Sequence, residues 1–221
     1  MKSLFKDALV LFAITLVAGL ALGAVYEITA DARAYQAELK QKNAYVAVFD
    51  GAEGYEEIDM KSAKFVDADL VAYQPKIDAA LKKAGLGSAV AVVDGIAYLT
   101  SGDSTHGYVV TVTSKEGYGG DIQFSVGFSM DGKVTGISIL SISETAGLGM
   151  KAKDKAFLNQ YVGKSGGNFV VDKDNTSGLT NEIDAISSAT ITTRAFTKGV
   201  NAAYIAAAEL AGWTGGDTDG K

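Results

Sequence analysis

The sequence predicts an α+β protein, an antiparallel sheet packed with helices, carrying one N-terminal transmembrane helix. Three observations lead to that expectation. The run from Ala8 to Tyr26 contains no charged residue. Three segments between Gly107 and Leu140 are alternating or β-branched and punctuated by turn residues, the pattern of paired strands. The alanine-rich stretch from Thr193 to Ala211 repeats its apolar residues at helical spacing.

At about 1.5 Å per residue the uncharged run reaches roughly 28 Å, close to the hydrocarbon thickness of a bilayer. Lys2 and Lys6 precede it, so the positive-inside rule places the N-terminus in the cytoplasm and exports the remainder. Tyr26 would sit at the outer interface. A cleaved signal peptide ending at Ala21-Leu22-Gly23 is the rival reading. Its apolar region would exceed the usual length of about 7–15 residues, and it too exports the rest of the chain.

Glu27 to Asn43 is polar, charged and free of Gly and Pro, and reads as a helical stalk. Ala44 to Phe49 is a short apolar run closed by a turn at Asp50-Gly51. Helical spacing resumes from Asp67 to Ala84 around Pro75 and stops at Gly85-Leu86-Gly87. Ser88 to Val93 is β-like, and Asp94-Gly95 after it reads as a hairpin turn. Gly107–Ser114, Asp121–Ser129 and Lys133–Leu140 form an antiparallel meander, the last two joined tightly at Asp131-Gly132. Ala152 to Val162 is expected to be helical. So is Thr193 to Ala211, with Thr193 as N-cap and Phe196, Val200, Ala203, Ala207 and Leu210 on one face despite Gly199. The tail after Gly212 reads as a short exposed end.

Composition limits the chemistry. The net charge of −6 over 221 residues, with no basic cluster, argues against nucleic acid. With no cysteine, the chain has no disulfide, thiolate nucleophile or Cys-ligated cluster. The single histidine, His106, excludes a two-histidine metal site. Redox work by such a chain needs an organic cofactor.

Two segments could carry one. Asp184 to Arg194 (DAISSATITTR) is dense in Ser and Thr and runs into the C-terminal helix. A helix N-terminus offers unpaired N–H groups and a partial positive charge, and Ser187, Ser188, Thr190, Thr192 and Thr193 add hydroxyls. That is a place for a phosphate, with Ala189 leaving room for close approach. Read by composition alone it is more often a capping sequence. The second segment, Glu144 to Lys151, holds two glycines around Leu148 and by itself is a turn after a strand.

The first segment resembles the flavinylation motif D-x-x-[ST]-x-A-T of the FMN-binding subunits of Rnf-type and sodium-pumping NADH:quinone reductase complexes. Asp184, Ser187, Ser188, Ala189 and Thr190 stand at its positions, Ser188 where the family often has glycine. The second resembles the family's E-T-P-G-L-G motif through Glu144, Thr145, Gly147, Leu148 and Gly149, with Ala146 replacing proline. The segment 113–121 and the meander are similar to the family as well. The two motifs lie in the right order about forty residues apart, a specific combination where either alone is weak. Chain length and the single anchor look most like the G subunit of an Rnf complex.

The resemblance implies FMN held covalently through a phosphoester on Thr190, attached by a flavin transferase. It assigns Ser187 and nearby amides to the phosphate and Glu144 to Gly149 to the border of the isoalloxazine. It also implies an extracytoplasmic electron-carrier subunit of an ion-translocating ferredoxin:NAD oxidoreductase, partnered by other membrane subunits and without catalytic activity alone. The expected division is 1–26 for the cytoplasmic end and anchor, 27–106 for the stalk and N-terminal part of the exported domain, and 107–221 for the FMN-binding domain. The corresponding subunit of the sodium-pumping quinone reductase and an anchored non-redox binding or scaffold module are the alternatives.

The remaining candidates have ordinary readings. His106 reads as a surface histidine and Tyr118 as a turn tyrosine, although each could approach a flavin. Trp213 could be a packing plug or a partner contact. Asp50, Glu53, Glu56, Glu57 and Asp59 read as a solvated acidic face without EF-hand spacing.

Overall fold

Helix α1 (Lys2–Ile28) takes up the uncharged run. A computed structural model of the chain describes residues 2–52, 55, 64–101, 104–172 and 181–213. It separates into two units, Met1–Gln41 and Lys42–Lys221. In the first, the stretch Phe5–Ile28 is long and apolar enough to cross a membrane, and none of it is buried within the protein. Helix α2 (Ala30–Ala47) follows after Thr29. There the Thr29 hydroxyl donates to the Val25 carbonyl at 2.8 Å, and Arg33 donates to the Tyr26 carbonyl at 2.7 Å with its guanidinium over the Tyr26 ring. The stalk is therefore helical, with one irregular residue at its base.

The second unit is built on a five-stranded antiparallel sheet in the order β1-β2-β3-β4-β5. The strands are β1 (Lys64–Asp67), β2 (Ala91–Ser101), β3 (Ser104–Ser114), β4 (Ile122–Ser129) and β5 (Val134–Ser141). The last three are the expected meander, and the Asp131-Gly132 turn joins β4 to β5 with Gly132 at φ 79°. The sheet extends two strands N-terminal to the expected meander: β2 takes in the end of the β-like run 88–93, and β1 precedes the expected helix. Residues 106 and 107, the expected boundary, lie inside β3, which pairs with β2 along its length.

Asp94-Gly95 is not a hairpin turn. Strand β2 runs through it with a register shift between Val93 and Gly95, so Asp94 is the extra residue of a bulge. The Asp94 carboxylate accepts hydrogen bonds from Thr113 at 2.6 Å and Gln123 at 3.1 Å across the neighbouring strands. Those bonds hold it in the sheet and satisfy a group that would otherwise favour a turn.

Both faces of the sheet are covered. On one, Val48, Phe49 and Tyr55 pack with Leu99 and Val109. Their close approach depends on glycine, because a Cβ on Gly136 would lie 2.6 Å from the Val48 carbonyl oxygen. On the other face lie α3 (Leu70–Lys83), capped by Asp69, and α5 (Thr190–Ala211). Here Phe124 of β4 stacks on Phe196 at 4.2 Å, and the buried Ser114 hydroxyl donates to the Ala195 carbonyl at 2.8 Å. The expected face of α5 is buried except for half-covered Leu210, and the helix is buried well beyond that face.

Between β5 and α5 the expected 152–162 helix is broken. A 3₁₀ turn (Gly149–Lys153) and the short α4 (Lys155–Leu158) meet at Asp154, whose extended backbone ends one and begins the other. The parallel pair β6 (Val170–Asp172) and β7 (Glu182–Asp184) completes the unit. Trp213 packs against Tyr108, Phe128 and Tyr204, and its indole N–H donates to the Met130 carbonyl at 3.1 Å. It plugs the end of the core. Asp50 is exposed, while Glu53, Glu56, Glu57 and Asp59 lie outside the described residues.

The contact at Gly199 yields a test. A Cβ there would lie 2.6 Å from Phe124 Cζ. Helix propensity favours alanine over glycine by about 1 kcal/mol, but overpacking a core costs about 1–3 kcal/mol. Gly199→Ala is therefore expected to lower stability by about 1 kcal/mol in urea melts of the detergent-solubilised protein, despite its better propensity. A stabilised variant would mean that α5 does not press on Phe124.

Candidate functional site

The two motif segments meet at one cleft of about 530 Å³, formed where the first turn of α5 faces the loops after β3 and β5. The β3–β4 loop and the loop after β5 lie backbone on backbone. A Cβ on Gly119 would fall 2.1 Å from the Ser143 carbonyl oxygen. This contact sets Tyr118 beside Glu144 at the cleft wall.

Glu144 is only 9% exposed. Its carboxylate is clasped by glycines: a Cβ on Gly117 would lie 3.0 Å from Oε1, and one on Gly149 would lie 2.7 Å from Oε2 and 2.8 Å from Thr192 Oγ1. Oε1 is buried and accepts no hydrogen bond among the described residues. An orphaned buried acceptor of this kind costs about 1–3 kcal/mol, more when charged, and a donor supplied by a ligand removes that cost.

Across the cleft, α5 begins at Thr190, three residues before the expected N-cap. The cap position is Ala189, which has no side chain able to cap. Thr193 instead sits in the first turn, fully buried. Its hydroxyl donates to the Ala189 carbonyl and accepts the Ile186 N–H, each at 3.0 Å. That bridge braces the turn Ile186–Ala189, which also closes through Ala189 N–H to the Ile186 carbonyl at 2.9 Å. Ser188 in this turn has φ 61°, the one positive value among non-glycine described residues.

The cleft lining contains Glu144, Thr145, Leu148 and Gly149 from one segment and Ser188, Ala189 and Thr190 from the other. Asp184, Ser187 and Gly147 are not part of it. Asp184 is exposed on β7, its backbone N–H bonded to Gln160 at 2.7 Å. Ser187 is exposed on the turn, and Gly147 makes the bend before Leu148 at φ 76°. Tyr118, Ile191 and Thr192 line the cleft without having been singled out by motif. The signal for Tyr118 was its place between two glycines, whose missing side chains bring the loop against Ser143 and Glu144. His106 is not a lining residue. It lies eight positions from Ser114 along β3, roughly 26 Å away at strand rise, and its carbonyl accepts from Tyr55 at 2.8 Å.

The geometry has counterparts among known proteins. A model of the FMN-binding domain family matches residues 117–205, a span that includes both motif segments and Tyr118. The G subunit of the Na(+)-translocating ferredoxin:NAD(+) oxidoreductase complex of Acetobacterium woodii is 32% identical over 201 residues, covering 90% of this chain and 89% of that one. The G subunit of the proton-translocating ferredoxin:NAD(+) oxidoreductase complex of Clostridium ljungdahlii is 44% identical over 102 residues, 46% of this chain and 54% of the other. The crystal structure of Shewanella oneidensis NqrC aligns with a TM-score of 0.55 over 80% of this chain and 96% of that one, at 16% identity. That last likeness is one of fold.

The Ser188 backbone generates a prediction. A left-handed conformation costs a non-glycine residue roughly 1–2 kcal/mol, while glycine brings an entropic cost of about 0.5–1 kcal/mol. Ser188→Gly is expected to raise stability by about 0.5–1 kcal/mol in urea melts. A destabilised variant would show that the serine hydroxyl, not the backbone, governs this position.

Proposed function

The chain belongs to the family of G subunits of ion-translocating ferredoxin:NAD+ oxidoreductase complexes, and on that premise we propose that it is the membrane-anchored electron carrier of such a complex, with FMN esterified to Thr190. The observation that carries the attachment site is the sorting of the hydroxyls in the first turn of α5. Thr192 and Thr193 are 1% and 0% exposed, and the Thr193 hydroxyl is already engaged on both sides. Thr190 is half-buried and opens onto the cleft. Among these threonines it alone combines a reachable hydroxyl with a helix N-terminus, where unpaired N–H groups and the helix dipole favour a phosphate.

Attachment is a phosphoryl transfer. The Thr190 oxygen forms a bond to the FMN phosphorus of a flavin adenine dinucleotide, the pyrophosphate P–O bond breaks, and AMP leaves. The hydroxyl proton passes to a base on the flavin transferase that catalyses the step. No electrons change hands.

The residues present fit the group. The orphaned Glu144 Oε1 offers an acceptor for a ring N–H or a ribityl hydroxyl. Leu148 and Tyr118 offer apolar surface at the wall of a cleft of about 530 Å³. Bound FMN supplies the one- and two-electron chemistry that these side chains lack. The protein tethers it, positions it and limits its contact with water.

The remaining assignments follow from the anchor. Helix α1 holds the chain in the membrane as a single span, with the Lys2 end in the cytoplasm and the flavin domain outside. The partners are the other membrane subunits of the complex, and the chain alone has no turnover. The relative matched over nearly its whole length is a G subunit, which favours this reading over the quinone-reductase subunit.

The test is coexpression with a flavin transferase, followed by in-gel fluorescence after SDS denaturation. Wild type and Ser187→Ala are expected to fluoresce, Thr190→Ala to be dark with an unchanged urea midpoint, and Thr190→Ser to regain the signal. A Thr190→Ala band as bright as wild type would refute the attachment site.

A further inference from the structure

On the reading that Thr190 carries the flavin phosphoester, we infer that Arg194 is the counter-ion of that ester, a positioning residue that pins the tether to the face of α5. Over its first three turns α5 exposes a narrow stripe. Ile191, Arg194 and the half-buried Lys198 and Asn201 follow Thr190 along it, while Thr192, Thr193, Ala195, Phe196 and Thr197 are buried. Arg194 is four residues after Thr190, on the same face and one turn along the helix. Helical side chains lean toward the N-terminus, so the Arg194 side chain is directed toward the turn that holds Thr190 and Ile191.

The charges around it favour the same direction. Lys198, one turn behind, carries like charge and is occupied by Glu116 at 2.6 Å. Lys115 is occupied by Asp121, also at 2.6 Å. The Arg194 guanidinium forms no ion pair or hydrogen bond with a described residue.

A cation near a helix N-terminus opposes the dipole, typically by about 0.3–1 kcal/mol. α5 nevertheless has no acidic residue in its first turn and no side-chain cap, so its positive end lacks an anion of its own. Among the described residues Glu144 is the one carboxylate lining the cleft, and it is clasped beside Thr192 on the inner wall. That polarity repels a phosphate from the inner wall and attracts it to the outer stripe. A phosphodiester on Thr190 supplies the missing anion, and the planar guanidinium matches its two free oxygens.

The test uses the full-length flavinylated protein in detergent, read by 31P NMR and by flavin fluorescence anisotropy. In Arg194→Gln the phosphorus resonance should move toward that of the SDS-unfolded wild type and the anisotropy should fall. Arg194→Lys, which keeps the charge but loses the fork, should lie between. A resonance and anisotropy in Arg194→Gln identical to wild type would overturn the pairing. If Arg194→Gln folds without acquiring flavin, flavinylated Arg194→Lys supports a charge requirement at the ester, and a folded, unflavinylated Arg194→Lys overturns it. Absence of SDS-stable flavin in the wild type would instead refute the reading beneath, before any Arg194 variant is made.

Discussion

Helix α5 is held against the sheet by a contact that only glycine permits: at Gly199 the helix backbone rests on the edge of the Phe124 ring, and Phe124 stacks on Phe196 one turn earlier. The Ser114–Ala195 hydrogen bond fixes the rotation of the helix about its axis. With that phase set, the first turn has no freedom in how it distributes its side chains. Thr192 lies at the cleft wall but is packed against Gly149 and only 1% exposed, Thr193 is consumed by the brace to Ile186, and half-buried Thr190 faces the cleft. A packing contact about two and a half turns away thus determines which hydroxyl is exposed at the cleft.

The cleft itself is polarised. Its inner wall holds a carboxylate clasped between Gly117 and Gly149 with one oxygen unpaired, and its outer wall is the uncapped positive end of a helix. An isolated chain bears the cost of both arrangements. FMN, with hydrogen-bond donors on its ring and ribityl chain and a phosphate at the far end, relieves both when it lies with its phosphate on α5. On the proposed attachment to Thr190, the same polarity would favour one orientation of the tether.

Much of this was legible in the sequence, and the failures have physical causes. The meander was readable because alternation and the Asp131-Gly132 turn are local signals. Strand β2 was misread at Asp94-Gly95, since the bonds from Thr113 and Gln123 that keep Asp94 in the sheet come from residues far along the chain. Thr193 was misplaced as an N-cap for a similar reason. Its hydroxyl bonds backward to Ala189 and Ile186, and composition cannot separate that from capping. The motif pattern singled out Thr190 and Glu144, and the fold brings both to one cleft. It could not show that Asp184 and Ser187 stand outside that cleft, or that Tyr118 lines it. Backbone contacts between loops decide those positions.

The central claim is chemical: one flavin, esterified to one threonine. Trypsin cleaves after Lys173 and Arg194, releasing residues 174–194 as a peptide that contains Ser187, Ser188 and Thr190 together with Thr192 and Thr193. Tandem mass spectrometry of that peptide, from protein matured with a flavin transferase, tests the claim most directly. The account predicts a single FMN adduct whose fragment ions localise it to Thr190. An adduct on Thr192, Thr193 or either serine, or an unmodified peptide from protein matured in this way, would contradict it.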